Sequence, residues 1–181
     1  MALNPLPPAR RIVTGVDADG RSCIAEDGGS PAMHGAEART GFRSNNVWRT
    51  RADGGVDAPD TILDHATLAP PKGGTVLRVI DIPPDPDDVE AHRAAMRTAF
   101  ATLYRDAHHD PDHPRHPGMH TTDTIDYAIV LQGELVAVME AGETTMRAGD
   151  ILVQRGTAHA WANRSGQIAR IAFVLVDARR A

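Results

Sequence analysis

The sequence predicts an all-β sandwich or barrel of jelly-roll type, with strands added at its N-terminal side and a single helix. Three observations carry this. From residue 120 onward, short strand-like segments recur with turn signals at Gln132-Gly133, Ala141-Gly142, Ala148-Gly149 and Ser165-Gly166. Only one stretch, "DPDDVEAHRAAMRTAFATLYRDAHHD", has strong helical spacing. No internal repeat is visible, so residues 1–181 are expected to form one domain, long enough to bury a real core.

Taken in order, "RRIVTGVDADGRSCIAE" predicts strands at Arg11–Thr14 and Arg21–Ala25 around a turn built on Asp17 to Gly20. A further strand is expected near Asn46–Arg51, then a loop with one helical turn between two proline breaks. Thr75–Ile82 reads as a strand stopped by Pro83 and Pro84, closing an N-terminal extension over 1–86. The helix is expected over 87–107. Asp87 and Asp88 supply its start signal and Glu90 complements the dipole of its first turn. Ala95, Met96, Ala99, Phe100 and Leu103 give it an apolar stripe suited to packing on a sheet. Strands follow at Thr124–Leu131, Leu135–Met139, Glu143–Arg147, Ile151–Gln154, His159–Asn163 and Ala169–Asp177.

Composition narrows the function. A net charge of −5, with no basic stripe or tail, argues against nucleic acid or an anionic membrane as partner. Of the 19 basic residues only Lys72 is a lysine, a bias that reads first as compositional. The single cysteine, Cys23, excludes an internal disulfide framework and suits a reducing cytosol. Neither a signal-peptide pattern nor a membrane-spanning run is present, so a cytoplasmic protein is expected. No Gly-x-Ser-x-Gly elbow, phosphate-binding glycine loop or dinucleotide fingerprint occurs.

Strand parity then groups the polar residues. Where the chain is extended, His120, Thr122, Thr124, Asp126, Ala128 and Val130 share one face. Ile125, Tyr127, Ile129 and Leu131 take the other, which would need a second sheet or a partner subunit to cover it. His159, Trp161 and Asn163 share a parity in the same way, with alanines opposite.

These two stretches resemble the paired motifs of the cupin superfamily. "GMHTTDTIDYAIVLQG" fits the first motif, with His120 as its first histidine, Asp126 as its acid and Gly133 as its closing glycine. "GDILVQRGTAHAWAN" fits the second through Gly149, Gly156, His159 and Asn163. The core of the resemblance covers residues 118–177. The wording is similar to that of small cupins with an N-terminal extension found beside aromatic or polyketide metabolism, fungi included. The resemblance implies a double-stranded β-helix and one divalent transition metal (Fe, Mn, Ni, Co or Zn).

Departures from the family pattern bear on the metal. Thr122 stands where the second histidine of motif one belongs, and Asp126 replaces the usual glutamate. A regular cupin site offers three histidines and a carboxylate; this chain keeps His120, Asp126 and His159, a set sufficient for a mononuclear site with open positions. Trp161, Gln154, Thr122 and Arg78 are the expected substrate contacts, each with a packing or solvent-facing alternative. Arg49 and Arg78 would meet a substrate carboxylate if the N-terminal strands join the barrel wall. The histidines of the loop 108–120 read either as a solvated connection or as a source, in His113 or His116, of a replacement ligand. No general acid or base is assigned.

The expected function is that of a metal-dependent cupin enzyme acting on a small organic molecule. O₂-dependent oxidation and Lewis-acid dehydration, isomerisation or lyase chemistry both fit. The alternative is a non-catalytic, metabolite-binding cupin with a degenerate metal site. A homodimer is expected through the Ile125–Leu131 face.

Overall fold

A computed structural model describes residues 4–36 and 39–180. The protein is mostly β-sheet with one helix. Strands β1 (Arg10–Val16) and β2 (Ser22–Gly29) form a separate antiparallel hairpin. Its Arg11 is buried, reaches Asp60 and Glu26, and lies 5.4 Å from the Trp48 ring, which ties the hairpin to the body.

Strands β3 (Ala32–Gly35), β4 (Arg43–Thr50) and β5 (Thr75–Ile82) do join the body. They extend a six-stranded sheet of order β11-β8-β13-β5-β4-β3, in which β8 is Thr124–Gln132, β11 Ile151–Gln154 and β13 Ala169–Asp177. The second sheet has five strands in the order β10-β9-β12-β7-β6. Here β6 is His108–Asp110, β7 Met119–Thr121, β9 Glu134–Met139, β10 Glu143–Arg147 and β12 His159–Ala162. From β7 on, the chain winds between the two sheets: β7 in the second, β8 in the first, β9 and β10 back, β11 across, β12 back, β13 across. This is jelly-roll winding. Among the described residues no ladder joins the two sheets, so the expected barrel is an open sandwich.

The core lies between the sheets. Ala128, Val130, Ile171 and Leu175 from the first meet Leu135, Ala137 and Met146 from the second. Corners between sheets need special backbone, and Gly133 supplies one: its φ of +79° carries the chain from β8 to β9 in a region where a side chain would be strained. Gly156 serves a second crossing, since a Cβ there would stand 2.9 Å from the Thr122 carbonyl oxygen.

Helix α1 spans Val89–Leu103, shorter than the expected 87–107. Asp88 caps it, accepting hydrogen bonds from the Glu90 and Ala91 amides at 3.0 Å. Its buried face holds His92, Met96, Ala99 and Phe100. The helix stops because the following chain is drawn into β6, a short polar strand with no alternation to announce it. The hairpin arm β3 is a second strand the sequence does not announce. No described helix is long and apolar enough to cross a membrane.

The strand expected at Thr124–Leu131 is present as β8, but His120 lies outside it on a strand of its own. The chain breaks at Thr122 and Asp123, leaving His120 on β7 in one sheet and Asp126 on β8 in the other. The two residues, six positions apart, both line the space between the sheets, but from opposite walls. Outward on β8, Ile125, Tyr127 and Leu131 are exposed, and Ile151 and Val153 of β11 extend the patch. No second sheet covers it among the described residues.

Candidate metal and substrate site

A cavity of about 100 Å³ lies between the sheets. That is room for roughly seven water sites or a compact organic molecule. Helix α1 closes one side with Met96, Ala99 and Phe100, and the sheets supply mostly apolar walls. Six of the seven expected site residues line this space: His120, Asp126, His159, Thr122, Trp161 and Arg78.

His120 and His159 are direct partners across the β7–β12 ladder, which sets their rings side by side with centroids 4.3 Å apart. The two are oriented alike. His120 Nδ1 donates to the Gly118 carbonyl and His159 Nδ1 to the Thr157 carbonyl, both at 2.9 Å. A carbonyl only accepts, so each Nδ1 carries the proton and each Nε2 keeps its lone pair. Neither Nε2 has a hydrogen-bond partner among the described residues. Burial lowers the His120 pKa to about 3, with the neighbouring His159 adding to the effect, and burial lowers His159 to about 4. Both are therefore neutral near pH 7. Two neutral imidazoles with their outer nitrogens pinned to backbone oxygen are what a transition-metal ion requires.

Asp126 faces them from the other sheet. It is buried, its Oδ1 has no partner, and burial raises its pKa to about 6 against the opposing pull of Thr124 and Arg78. An unpaired buried carboxylate oxygen fits a cation. The donor atoms of His120, Asp126 and His159 do not, however, all lie within 4.8 Å of one another. The strand break explains this: the carboxylate, a methylene shorter than glutamate, reaches in from the far wall. Thr122 sits at the crossing, its hydroxyl bonded to that of Thr124 at 2.7 Å.

Trp161 stands between the imidazoles and the opposite sheet, 5.9 Å from the His159 ring and 5.2 Å from Phe173. Arg78 is 1% exposed on β5. Gln154 is a correction. Its side chain turns away from the cavity and closes its own loop, accepting from the Arg155 amide and the Thr157 hydroxyl. Parity favoured it, but Gln154 ends β11, and the turn that follows claims its amide. Arg49 also stays outside, bonded to Thr61 and Asp64.

The structure adds residues that the sequence reading did not place. Phe100 and Tyr104 bring the helix into the wall, and their spacing of four was the available signal. His109 stacks on Phe100 at 3.9 Å and bonds the Pro117 carbonyl, so the histidine-rich loop is partly built into the fold. His113 accepts from the Arg115 amide.

His116 belongs to a second cluster at the cavity edge, Asp85–His92–His116, whose ligand atoms do lie within 4.8 Å of one another. The hydrogen bonds of His116 and Asp85 argue against a metal, while His92 Nε2, 3.6 Å from Asp85, is buried without a hydrogen-bond partner. His116 Nδ1 accepts from the Gly118 amide, so its Nε2 carries the proton and donates to Asp85 at 3.2 Å. Asp85 also accepts from Arg39 and from the Asn163 amide. A cation there would have to displace a proton and sit beside a guanidinium. We read this group as a hydrogen-bonded anchor for the start of α1.

Fold and site together describe a two-sheet jelly roll with a histidine pair inside. No family model matches the chain. It is 33% identical over 109 residues to phomopsin biosynthesis cluster protein C' of Diaporthe leptostromiformis, an alignment covering 59% of this chain and 42% of that protein. It is 40% identical over 65 residues to the cupin-domain-containing oxidoreductase virC of Hypocrea virens, covering 34% of each. The chain thus spans about two fifths or less of the length of these relatives. Similar solved structures include a cupin 2 conserved barrel domain protein from Salinispora arenicola, with TM-score 0.42 and 12% identity over 80% of this chain and 82% of that one. Another is an RmlC-like cupin with a double-stranded β-helix from Methanocaldococcus jannaschii, with TM-score 0.37 and 12% identity over 57% and 70%. The resemblance to cupins read from the two motifs stands.

Proposed function

We propose that the protein is a metal-dependent cupin enzyme that transforms a small organic molecule in the cavity between its sheets. The observation that carries this is the histidine pair. His120 and His159 present two unprotonated Nε2 atoms side by side into an apolar space, each oriented from behind by a backbone carbonyl. The pair would hold one divalent transition-metal ion, with Asp126 facing it from the other sheet as the available carboxylate; Fe, Mn, Ni, Co and Zn all accept imidazole and carboxylate. Such an ion supplies either O₂-dependent oxidation or Lewis-acid polarisation for dehydration, isomerisation or lyase chemistry. The oxidoreductase name of the Hypocrea virens relative favours the first.

The protein's own groups do the rest. Apolar walls exclude water, and Trp161 offers a flat surface for a planar substrate. Asp126, with its pKa raised to about 6, can hold or release a proton near neutral pH. The second reading, a metabolite-binding cupin without catalysis, is favoured by the distance of Asp126 from the imidazole pair. Elemental analysis of untagged protein grown with supplemented metals separates the two readings. We expect close to one transition-metal ion per chain, lost in His120→Ala and in His159→Ala. Metal content near zero in the wild type would leave the binding-module reading.

A further inference from the structure

Arg78 poses a problem that the proposed metal does not solve. It is buried at the centre of the sheet, in the inward-facing row that runs Arg78, Phe173, Ala128 across β5, β13 and β8. Its Nε donates to Asn46 Oδ1 at 2.6 Å and one terminal nitrogen donates to the Thr67 carbonyl at 2.9 Å. That same nitrogen meets His65 Nε2 at 3.3 Å. All these partners are neutral oxygens or an imidazole. Arg78 forms no ion pair with a described Asp or Glu, and its Nη1 has no partner at all. Asp126, two strands away across β13, and Asp106 act on it only from beyond ion-pair distance.

Beside it, the Tyr104 ring lies 5.4 Å from the guanidinium, and the Tyr104 hydroxyl is also buried without a partner. Both residues line the same cavity. A buried guanidinium with a free N–H, and a free O–H on the aromatic residue beside it, both lining one mostly apolar cavity, make a seat for an anion. Two donors match the two oxygens of a carboxylate, whereas a phosphate would bring more charge and more acceptors than this corner can satisfy. The other cavity arginine, Arg39, is already paired with Asp85 at 2.9 Å.

We infer that the cavity takes a small carboxylic acid, its carboxylate held by Arg78 and Tyr104 and its apolar body directed along Phe173 and Trp161 toward His120 and His159. The inference rests on the proposed site and deepens it, because it names the substrate class and the end of the molecule that is held. Phe173, opposite Arg78 in the ladder, contacts Trp161, and Trp161 contacts His159, so an apolar path runs from the anion seat to the imidazole pair.

The test uses metal-free protein, so that a carboxylate cannot be drawn to a metal. Benzoate and hexanoate are titrated against benzamide and hexanamide by calorimetry, with Trp fluorescence as a second readout. Each acid is expected to bind at least about tenfold more tightly than its amide, as a charged hydrogen-bonded partner does over a neutral isostere. Tyr104→Phe should weaken acid binding by about tenfold and amide binding by less, as loss of one hydrogen bond to a charged rather than a neutral acceptor would. Arg78→Met should abolish the preference, and His120→Ala should keep it. If Arg78→Met does not fold, the acid-to-amide ratio and Tyr104→Phe decide the matter. No preference in the wild type, or no binding of any probe, overturns the inference. So does a preference that survives both substitutions, or one that disappears in His120→Ala. A protein that binds the acids but carries no metal after purification would overturn the enzyme reading alone.

Discussion

Thr122 is the residue at which this site departs most sharply from the motif it resembles, and its surroundings say what a change there would do. It lines the cavity two residues beyond His120, at the point where the chain crosses from β7 to β8. Its hydroxyl has a single side-chain partner, Thr124, so a replacement disturbs little else. Thr122→His would bring a third imidazole to the site. We expect it to tighten metal binding, read by competition with a chromophoric chelator, and to slow turnover by filling a position that substrate or O₂ would use. Weaker binding in the variant would show that residue 122 does not reach the metal. The same scale explains why Arg78 lines the cavity and Gln154 does not. Gln154 sits at a strand end, where a turn can claim the side chain. Arg78 sits mid-strand, where the ladder fixes its direction.

At the scale of elements, helix α1 forms one wall of the cavity. It contributes Met96, Ala99 and Phe100 to the wall, and Tyr104 stands at its C-terminal cap. Its start depends on Asp88, which satisfies two amides that the first turn leaves free. Asp88→Ala should therefore cost about 1 kcal/mol of stability in urea or thermal melts. Metal content should be unchanged, because none of the proposed ligands His120, Asp126 and His159 is on the helix. The start signal and the apolar stripe of this helix were legible in the sequence. The strand that begins at Thr124 was legible too, but not that the chain before it belongs to the other sheet. The alternation of polar and large apolar residues starts only at Thr124, and the polar run before it carries no sign of a partner strand. The cause lies elsewhere in the chain, in the β12–β7 pairing of His159 with His120 and in the close approach of Gly156 to the Thr122 carbonyl.

For the whole molecule, the open question is the outer face of the six-stranded sheet. Ile125, Tyr127 and Leu131 on β8 are 37%, 44% and 49% exposed, and Ile151 and Val153 beside them on the edge strand β11 are more exposed still. The N-terminal strands join the opposite edge through β5, β4 and β3 and leave this patch uncovered. Contiguous apolar surface of this kind marks an interaction site. We expect two copies to pair through it, giving a homodimer by light scattering at micromolar concentration. Tyr127→Asp combined with Val153→Lys should yield a monomer that keeps its metal. A wild-type monomer would count against the pairing.

The sequence by itself determined the strands of the C-terminal half, the single helix, and the identity of the histidine pair, because side-chain alternation and motif spacing are local and survive any arrangement of the sheets. The resemblance of its two motifs also implied that His120, Asp126 and His159 belong to one interior. Tertiary structure decided the rest. It placed Asp126 on the wall opposite the imidazoles, withdrew Gln154, left the outer face of β8 bare, and brought Arg78 and Tyr104 together from β5 and the end of α1. Each of these depends on which sheet a strand enters and which neighbour it pairs with. Those choices are set by contacts between residues far apart in the chain, and a local pattern carries no record of them.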